Sequence, residues 1–379
     1  MKKLFIFFAS SVSSALFNYL FQVLIAYKIG PVEFSQFTLN WSYFGLVSML
    51  GGFFQYWASL NQVSVKDEKI LKIIVHSMSI FLLLFSFVFN NIFFLILSIV
   101  VEGIAMAFIM GRAISRGDFK TVNIINVSLS LIRVLLLFAM PAIFINSKKI
   151  FYIVLTSFVL VEVIYDKFLL LPEKTIVISL NKKKVDMWLG PLLFSFLICT
   201  LPQLDIIWVH WFKSLYTLNL ISELSFITKG LFFFQLMVAQ WLFSKQLANS
   251  NSRKLNFSRY QVIFFIILIV GSLIGAYVLP FVITRFLSWT TIPSHAECFW
   301  AGFNAGMMSL FYQFCQINII RHKFNYILLS LLGLFVVLVM SGLFDLSLVN
   351  YFIVSSSTYL TMMGISLFRE RNEASTDLA

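Results

Sequence analysis

Of the ionisable residues inside the long apolar runs of this 379-residue chain, Glu102, Arg133, Glu162, Asp205 and Lys229 could do chemistry. Glu102, Arg133, Glu162 and Lys229 each lie about ten to twelve residues from the end of an apolar segment, near a bilayer midplane, where a charge costs at least ~2.5 kcal/mol. Such a group must face a cavity or a partner. Arg133 has Glu102 and Glu162 on neighbouring segments, so it either forms a permanent internal salt bridge or displays its charge in a cavity. Lys229 has no comparable neighbour, since Glu223 is six positions away, about 120° around a helix; it is expected in the cavity. Asp205 follows Pro202 and Gln203 in a segment that also carries Pro191. A proline removes a backbone hydrogen bond, and freed carbonyls beside a carboxylate suit Na⁺ or a transferable proton. The alternative is a simple kink with the carboxylate reaching the outer interface. Glu102 and Glu162 are second candidates for that ion-coupling role.

Polar residues in the same segments follow single helical faces, stepping mostly by three or four. The first segment carries Ser11, Ser14, Asn18 and Gln22; the second carries Ser48, Gly52, Gln55 and Ser59; the fifth carries Asn123, Asn126, Ser130 and Arg133. The eighth has Asn219, Ser222, Lys229 and Gln240, and the tenth Ser309, Gln313 and Gln316. Lipid satisfies none of these groups. Interhelical hydrogen bonds of roughly 0.6 to 2 kcal/mol account for single serines. Five such stripes fit a water-accessible cavity better, with Lys229, Arg133, Asn18, Gln22, Gln55, Asn126, Ser222 and Gln313 as candidate substrate contacts.

The elements that must position these groups follow from composition. Hydrophobic residues make up 60% of the chain and charged residues 12%, which excludes a soluble enzyme. About 20 apolar residues cross a bilayer, and apolar segments run at 4–27, 36–60, 72–89, 92–111, 121–145, 150–171, 187–211, 217–244, 260–284, 297–319, 325–344 and 347–367. The expected fold is an all-α integral membrane protein, with twelve transmembrane helices in two six-helix lobes around a central polar cavity. The first lobe spans 1–171, a cytoplasmic linker 172–186, and the second lobe with a short cytoplasmic tail 187–379. The apolar run after Met1-Lys2-Lys3 extends to Ala26, past any plausible signal cleavage point, and is expected to be an uncleaved first helix. Twenty basic residues fall on the side of Lys2 and Lys3, and only Lys28, Lys148, Lys149, Lys213 and Arg285 fall opposite. This bias places both ends in the cytoplasm. His76 and His210 are expected at interfaces, Trp208 and Trp211 in the aromatic belt, and Cys199, Cys298 and Cys315 as small core residues. No phosphate loop, H-E-x-x-H, Cys/His metal spacing or G-x-S-x-G is present, so no catalytic residue, resident metal or cofactor is expected and any work must draw on gradients.

The junction Ile25-Ala-Tyr-Lys-Ile-Gly-Pro-Val-Glu-Phe-Ser-Gln-Phe resembles the helix 1 to helix 2 junction of polysaccharide exporters in the multidrug/oligosaccharidyl-lipid/polysaccharide (MOP) superfamily, with Ser35 where glycine is usual. Leu201-Pro-Gln-Leu-Asp-Ile-Ile-Trp-Val and Phe226-Ile-Thr-Lys-Gly-Leu-Phe-Phe-Phe resemble the seventh and eighth helices of Wzx-type O-antigen flippases, and Arg116 and Arg133 match the family's habit. The resemblance implies a flippase that exports undecaprenyl-diphosphate-linked repeat units of O-antigen or capsule across the bacterial inner membrane, coupled to H⁺ or Na⁺. It implies membrane lipids, a polysaccharide polymerase and a chain-length regulator as further partners, and no nucleic acid. Arginines usual in the first two helices of such flippases are absent, leaving Lys229 and Arg133 for the diphosphate. A cation-coupled drug antiporter of the same superfamily, a membrane-embedded polysaccharide polymerase and an accessory membrane protein are the alternatives.

Overall fold

The computed structural model describes residues 2–60, 65–115, 118–142, 145–168, 186–248, 257–287, 289, 292–320 and 324–376. The elements are α1 (Lys2–Val47), α2 (Met49–Leu60), α3 (Val65–Val88), α4 (Ile92–Ser115), α5 (Phe119–Ala139), α6 (Ser147–Phe168), α7 (Asp186–Thr200), α8 (Leu204–Phe212), α9 (Leu215–Ala248), α10 (Phe257–Val282), α11 (His295–Ile320), α12 (Phe324–Leu343) and α13 (Leu348–Thr376). A 3₁₀ turn, Leu201–Gln203, joins α7 to α8, and a π turn, Ile283–Leu287, ends α10. There is no strand among the described residues. Six stretches there are long and apolar enough to cross a membrane: Val12–Gln55, Ile70–Val88, Ile92–Ile114, Lys120–Ala139, Ser195–Phe212 and Leu268–Arg285. The chain is a multi-pass membrane protein.

α1 is two helices merged end to end. Straight, its 46 residues would reach about 69 Å at 1.5 Å per residue, more than twice the hydrocarbon thickness. The bend falls at Gly30, whose φ of 76° is the left-handed conformation that a Cβ disfavours. Pro31 then opens the second half, where its missing N–H costs nothing. The loop expected at 28–35 thus shrinks to this Gly-Pro joint. The segment expected as one helix at 187–211 is split by the 3₁₀ turn at Pro202, and the one at 36–60 is interrupted at Ser48.

The chain forms two compact units, Met1–Gln203 and Leu204–Ala379. The linker expected at 172–186 lies outside the described residues apart from Asp186 at the start of α7. In the first unit α4 is central, packing on α2, α3, α5 and α6. Gly111 lets α4 approach α2 closely, because a Cβ there would collide with the Gln55 carbonyl and the Ala58 methyl. Apolar cohesion gives helices little reason to associate in lipid, so such small-residue contacts carry the packing. Met106, Ile109, Ile125, Leu129, Val161 and Tyr165 knit α4, α5 and α6 together. Ile73, Met78, Phe81, Leu84 and Phe87 of α3 stay exposed, as a lipid-facing surface requires. At one end of this unit, the Lys28 ammonium donates to the carbonyls of Leu137 (2.7 Å) and Met140 (2.6 Å), capping α5. Nearby, Glu33 accepts from the Ser147 N–H at the start of α6 (3.1 Å). In the second unit α11 is central, packing on α9, α10, α12 and α13. Gly302 brings α11 against Ile227 and Leu231 of α9 and Ser272 of α10.

Candidate functional site

After the 3₁₀ turn at Pro202 the second unit begins with α8, and Asp205 stands in its first turn, where the helix dipole favours a negative group. Asp205 is 6% exposed. The Tyr351 hydroxyl of α13 donates to its Oδ1 at 2.8 Å, and the Asn304 amide of α11 donates to both oxygens at 3.4 and 3.5 Å. Asn304 in turn accepts from the Ser356 hydroxyl at 3.2 Å. The Tyr351 ring is fixed by stacking on Trp208, with centroids 3.9 Å apart and planes 12° apart, while the Trp208 indole N–H donates to the Leu338 carbonyl at 3.0 Å. Lys229, 5% exposed on α9, acts on Asp205 through space. Among the described residues it has no carboxylate within ion-pair distance. The oxygen atoms here are carboxylate, phenol, amide and hydroxyl, a hard donor set that suits Na⁺ or a proton.

Sequence reasoning found Asp205 and Lys229 and missed Asn304, Tyr351 and Ser356. Asn304 stands off the Ser309/Gln313 face of α11, and Tyr351 lies 146 residues from its partner. The run Ser355-Ser356-Ser357 was the available signal. Trp208 is a correction: it is 2% exposed and packs on the site rather than forming an interfacial belt, whereas Trp211 is 64% exposed.

The first unit holds a second ionisable cluster. One face of α3 carries Lys72 and His76, four residues apart, towards Glu102 of α4 and Glu162 of α6. His76 Nδ1 lies 3.0 Å from Glu102 and Nε2 3.2 Å from Glu162, and the Lys72 ammonium lies 3.3 Å from Glu162. Of the two alternatives for Arg133, the salt bridge to Glu102 or Glu162 is not formed among the described residues. Arg133 donates to the Ser157 hydroxyl at 3.1 Å and sits over the Phe158 ring, 5.1 Å from its centroid. His76 is therefore a structural partner of two buried acids, where an interfacial role was expected.

The polar stripes divide. Ser14 reaches from α1 to Ser130 of α5 (2.9 Å) and to the Asn126 carbonyl (3.2 Å), which is helix-to-helix bonding. Ser222 is 1% exposed and donates to the Leu218 carbonyl of its own helix. Asn18, Gln22, Gln55, Asn126 and Gln313 are partly exposed, and the buried Gln313 Nε2 has no hydrogen-bond partner among the described residues.

The sequence matches no protein-family model and no curated protein. Among solved structures, it is similar to a MOP superfamily transporter from Pyrococcus furiosus Vc1 (DSM3638), a protein whose binding pocket of reverse polarity suggests a different function. The two share 12% identity at a TM-score of 0.51, over 98% of this chain and 94% of that one. At this identity the likeness is one of fold: the chain has the fold of a MOP superfamily transporter.

Proposed function

We propose that this protein is a secondary-active flippase, moving undecaprenyl-diphosphate-linked oligosaccharide repeat units from the inner to the outer leaflet of a bacterial inner membrane by alternating access. The proposal includes twelve crossings with both ends in the cytoplasm. The observation that carries it is Asp205, a carboxylate buried in apolar helices and held by neutral donors. A buried acid with no cation in contact is costly, and a transported cation offsets that cost. Its entry neutralises Asp205 and permits the surrounding helices to close, because a neutral site loses less than a charged one when water leaves.

Substrate contact is assigned unit by unit. Arg133 and Lys229 are cations without an ion-pair partner among the described residues, the property needed to attract a diphosphate. Asn18, Gln22, Gln55 and Asn126 in the first unit and Gln313 in the second offer amides to sugar hydroxyls. Ser222, already bonded within its helix, drops out.

The test is flipping in proteoliposomes under imposed H⁺ or Na⁺ gradients, together with gene deletion in the source cell. Deletion should accumulate single lipid-linked repeat units on the cytoplasmic leaflet. Lys229→Ala should abolish surface polymer at normal protein levels, with partial retention in Lys229→Arg. Normal polymer after deletion, with new sensitivity to cationic drugs, would instead mark a drug antiporter.

A further inference from the structure

The cluster of His76, Glu102 and Glu162 has no task in the transport scheme above, and its geometry is that of a ligand set. We propose that these three side chains bind one divalent transition-metal cation of the Zn²⁺ or Mn²⁺ class. One ligand atom from each lies within 4.8 Å of the other two. Metal bonds of about 2.0 to 2.2 Å hold the ligands of a tetrahedral set roughly 3.4 Å apart, so side-chain rotation of the three residues must draw the set in around the ion. Three helices supply the ligands, and α4 packs on both α3 and α6, which holds them to one point.

Two further observations point to a ligand. Glu102 and Glu162 are 2% and 4% exposed; their Oε1 atoms face only the His76 and Lys72 nitrogens, at 3.0 to 3.3 Å, and Glu162 Oε2 has no hydrogen-bond partner among the described residues. Buried carboxylate oxygens left in that condition are expensive, and a cation satisfies them. The His76 side chain is 38% exposed, which gives an ion a way in. The donor set selects the metal: one imidazole nitrogen with two carboxylate oxygens suits Zn²⁺, Mn²⁺ or Fe²⁺, whereas Ca²⁺ and Na⁺ prefer oxygen alone and Cu⁺ prefers sulfur. Three protein ligands leave a fourth position for water.

Lys72 competes for this position, with its ammonium 3.3 Å from Glu162. The same ammonium already lies 5.5 Å from the Tyr165 ring centroid, which leaves it a cation–π partner if it gives up Glu162. The metal displaces the ammonium toward that ring, and removing the ammonium should strengthen binding.

The experiment uses the purified full chain in detergent, titrated with Mn²⁺ and with Zn²⁺ and followed by calorimetry and by metal content after gel filtration. One equivalent per chain is expected. Glu102→Gln and His76→Gln should each weaken binding at least about tenfold, and Lys72→Met should tighten it severalfold. Only variants that elute with the parent's profile are compared. Wild-type and Lys72→Met protein that both bind no metal at micromolar concentration would overturn the proposal, as would binding that His76→Gln leaves unchanged. The readout involves no transport, so it can fail while the flippase assignment stands, and the reverse.

Discussion

Glu102 and Glu162 in the first unit are held by side chains that can carry positive charge, His76 and Lys72. Asp205 in the second unit is held by a phenol and an amide, with its lysine acting only through space. The two arrangements compensate buried acids by different physics. A contact ion pair in a low-dielectric setting resists rearrangement, because removing either member strands the other. A carboxylate held by neutral dipoles can exchange them for a small cation at lower cost. On the two proposals above, the first cluster holds a fixed ion or fixed pairing, and the second an ion that comes and goes.

The largest expected effect breaks or upholds that contrast directly. Asp205→Asn should abolish the response to an imposed cation gradient and slow flipping more than about tenfold, or about 1.4 kcal/mol of barrier. Glu102→Gln should change the rate less than about threefold. Equal losses in the proteoliposome assay would mean that both units handle the coupling ion.

Second in size is a stability effect confined to the first unit. Glu162→Gln strands Lys72, which is buried, and breaking a buried pair costs about 3 to 5 kcal/mol. The variant should unfold at markedly lower temperature in detergent, and adding Lys72→Met should recover most of the loss. If the double variant is as unstable as the single one, Lys72 is not the group that Glu162 balances.

A smaller effect sharpens the account of the second unit. Tyr351→Phe removes one hydrogen bond to a charged acceptor, worth about 1.5 to 3 kcal/mol, and leaves the ring stacked on Trp208. The cation concentration giving half-maximal flipping should shift about tenfold or more, and the cation-free protein should lose stability by about the worth of that one bond. An unshifted concentration dependence would show that the phenol does not act on the ion.

These contrasts were only partly legible in the sequence. A loop over 28–35 was expected where the chain only bends, although Gly30-Pro31 is a pair that fits a left-handed residue followed by a helix start. Pro202 announced the break that positions Asp205. The partners of Asp205 were not legible, because Asn304 and Tyr351 come from helices 99 and 146 residues away, and spacing along one helix carries no information about its neighbours. The partners of Glu162 were not legible for a related reason: Lys72 stands at the edge of its apolar segment, yet its long side chain reaches Glu162 of another helix. Ser222 shows a further limit: a serine can satisfy itself on its own helix, so a polar stripe in sequence is not always a polar face in space.

The smallest expected effect lies at the turns closing α3–α4 and α12–α13, where the contrast between the units is inverted. Asn90 (φ 48°) and Asp345 (φ 51°) each take the left-handed conformation that their short polar side chains tolerate. Each accepts a hydrogen bond from a lysine of another element: Lys148 reaches the neutral amide oxygen of Asn90 at 2.6 Å, and Lys213 pairs with the Asp345 carboxylate. Asp345 is 88% exposed, so screening limits its pair to about 0.2 to 1 kcal/mol. The Lys213 ammonium also sits 5.5 Å from the Trp208 ring centroid, adding roughly 0.5 to 1 kcal/mol. Lys213→Ala should therefore lower the unfolding temperature slightly more than Lys148→Ala. Raising salt from low to about 0.5 M should erode the first difference and leave the second unchanged, because only the first involves a charge pair. If both variants respond alike to salt, the Asp345 carboxylate contributes no more than the Asn90 amide, and the inversion is one of residue type without energetic consequence.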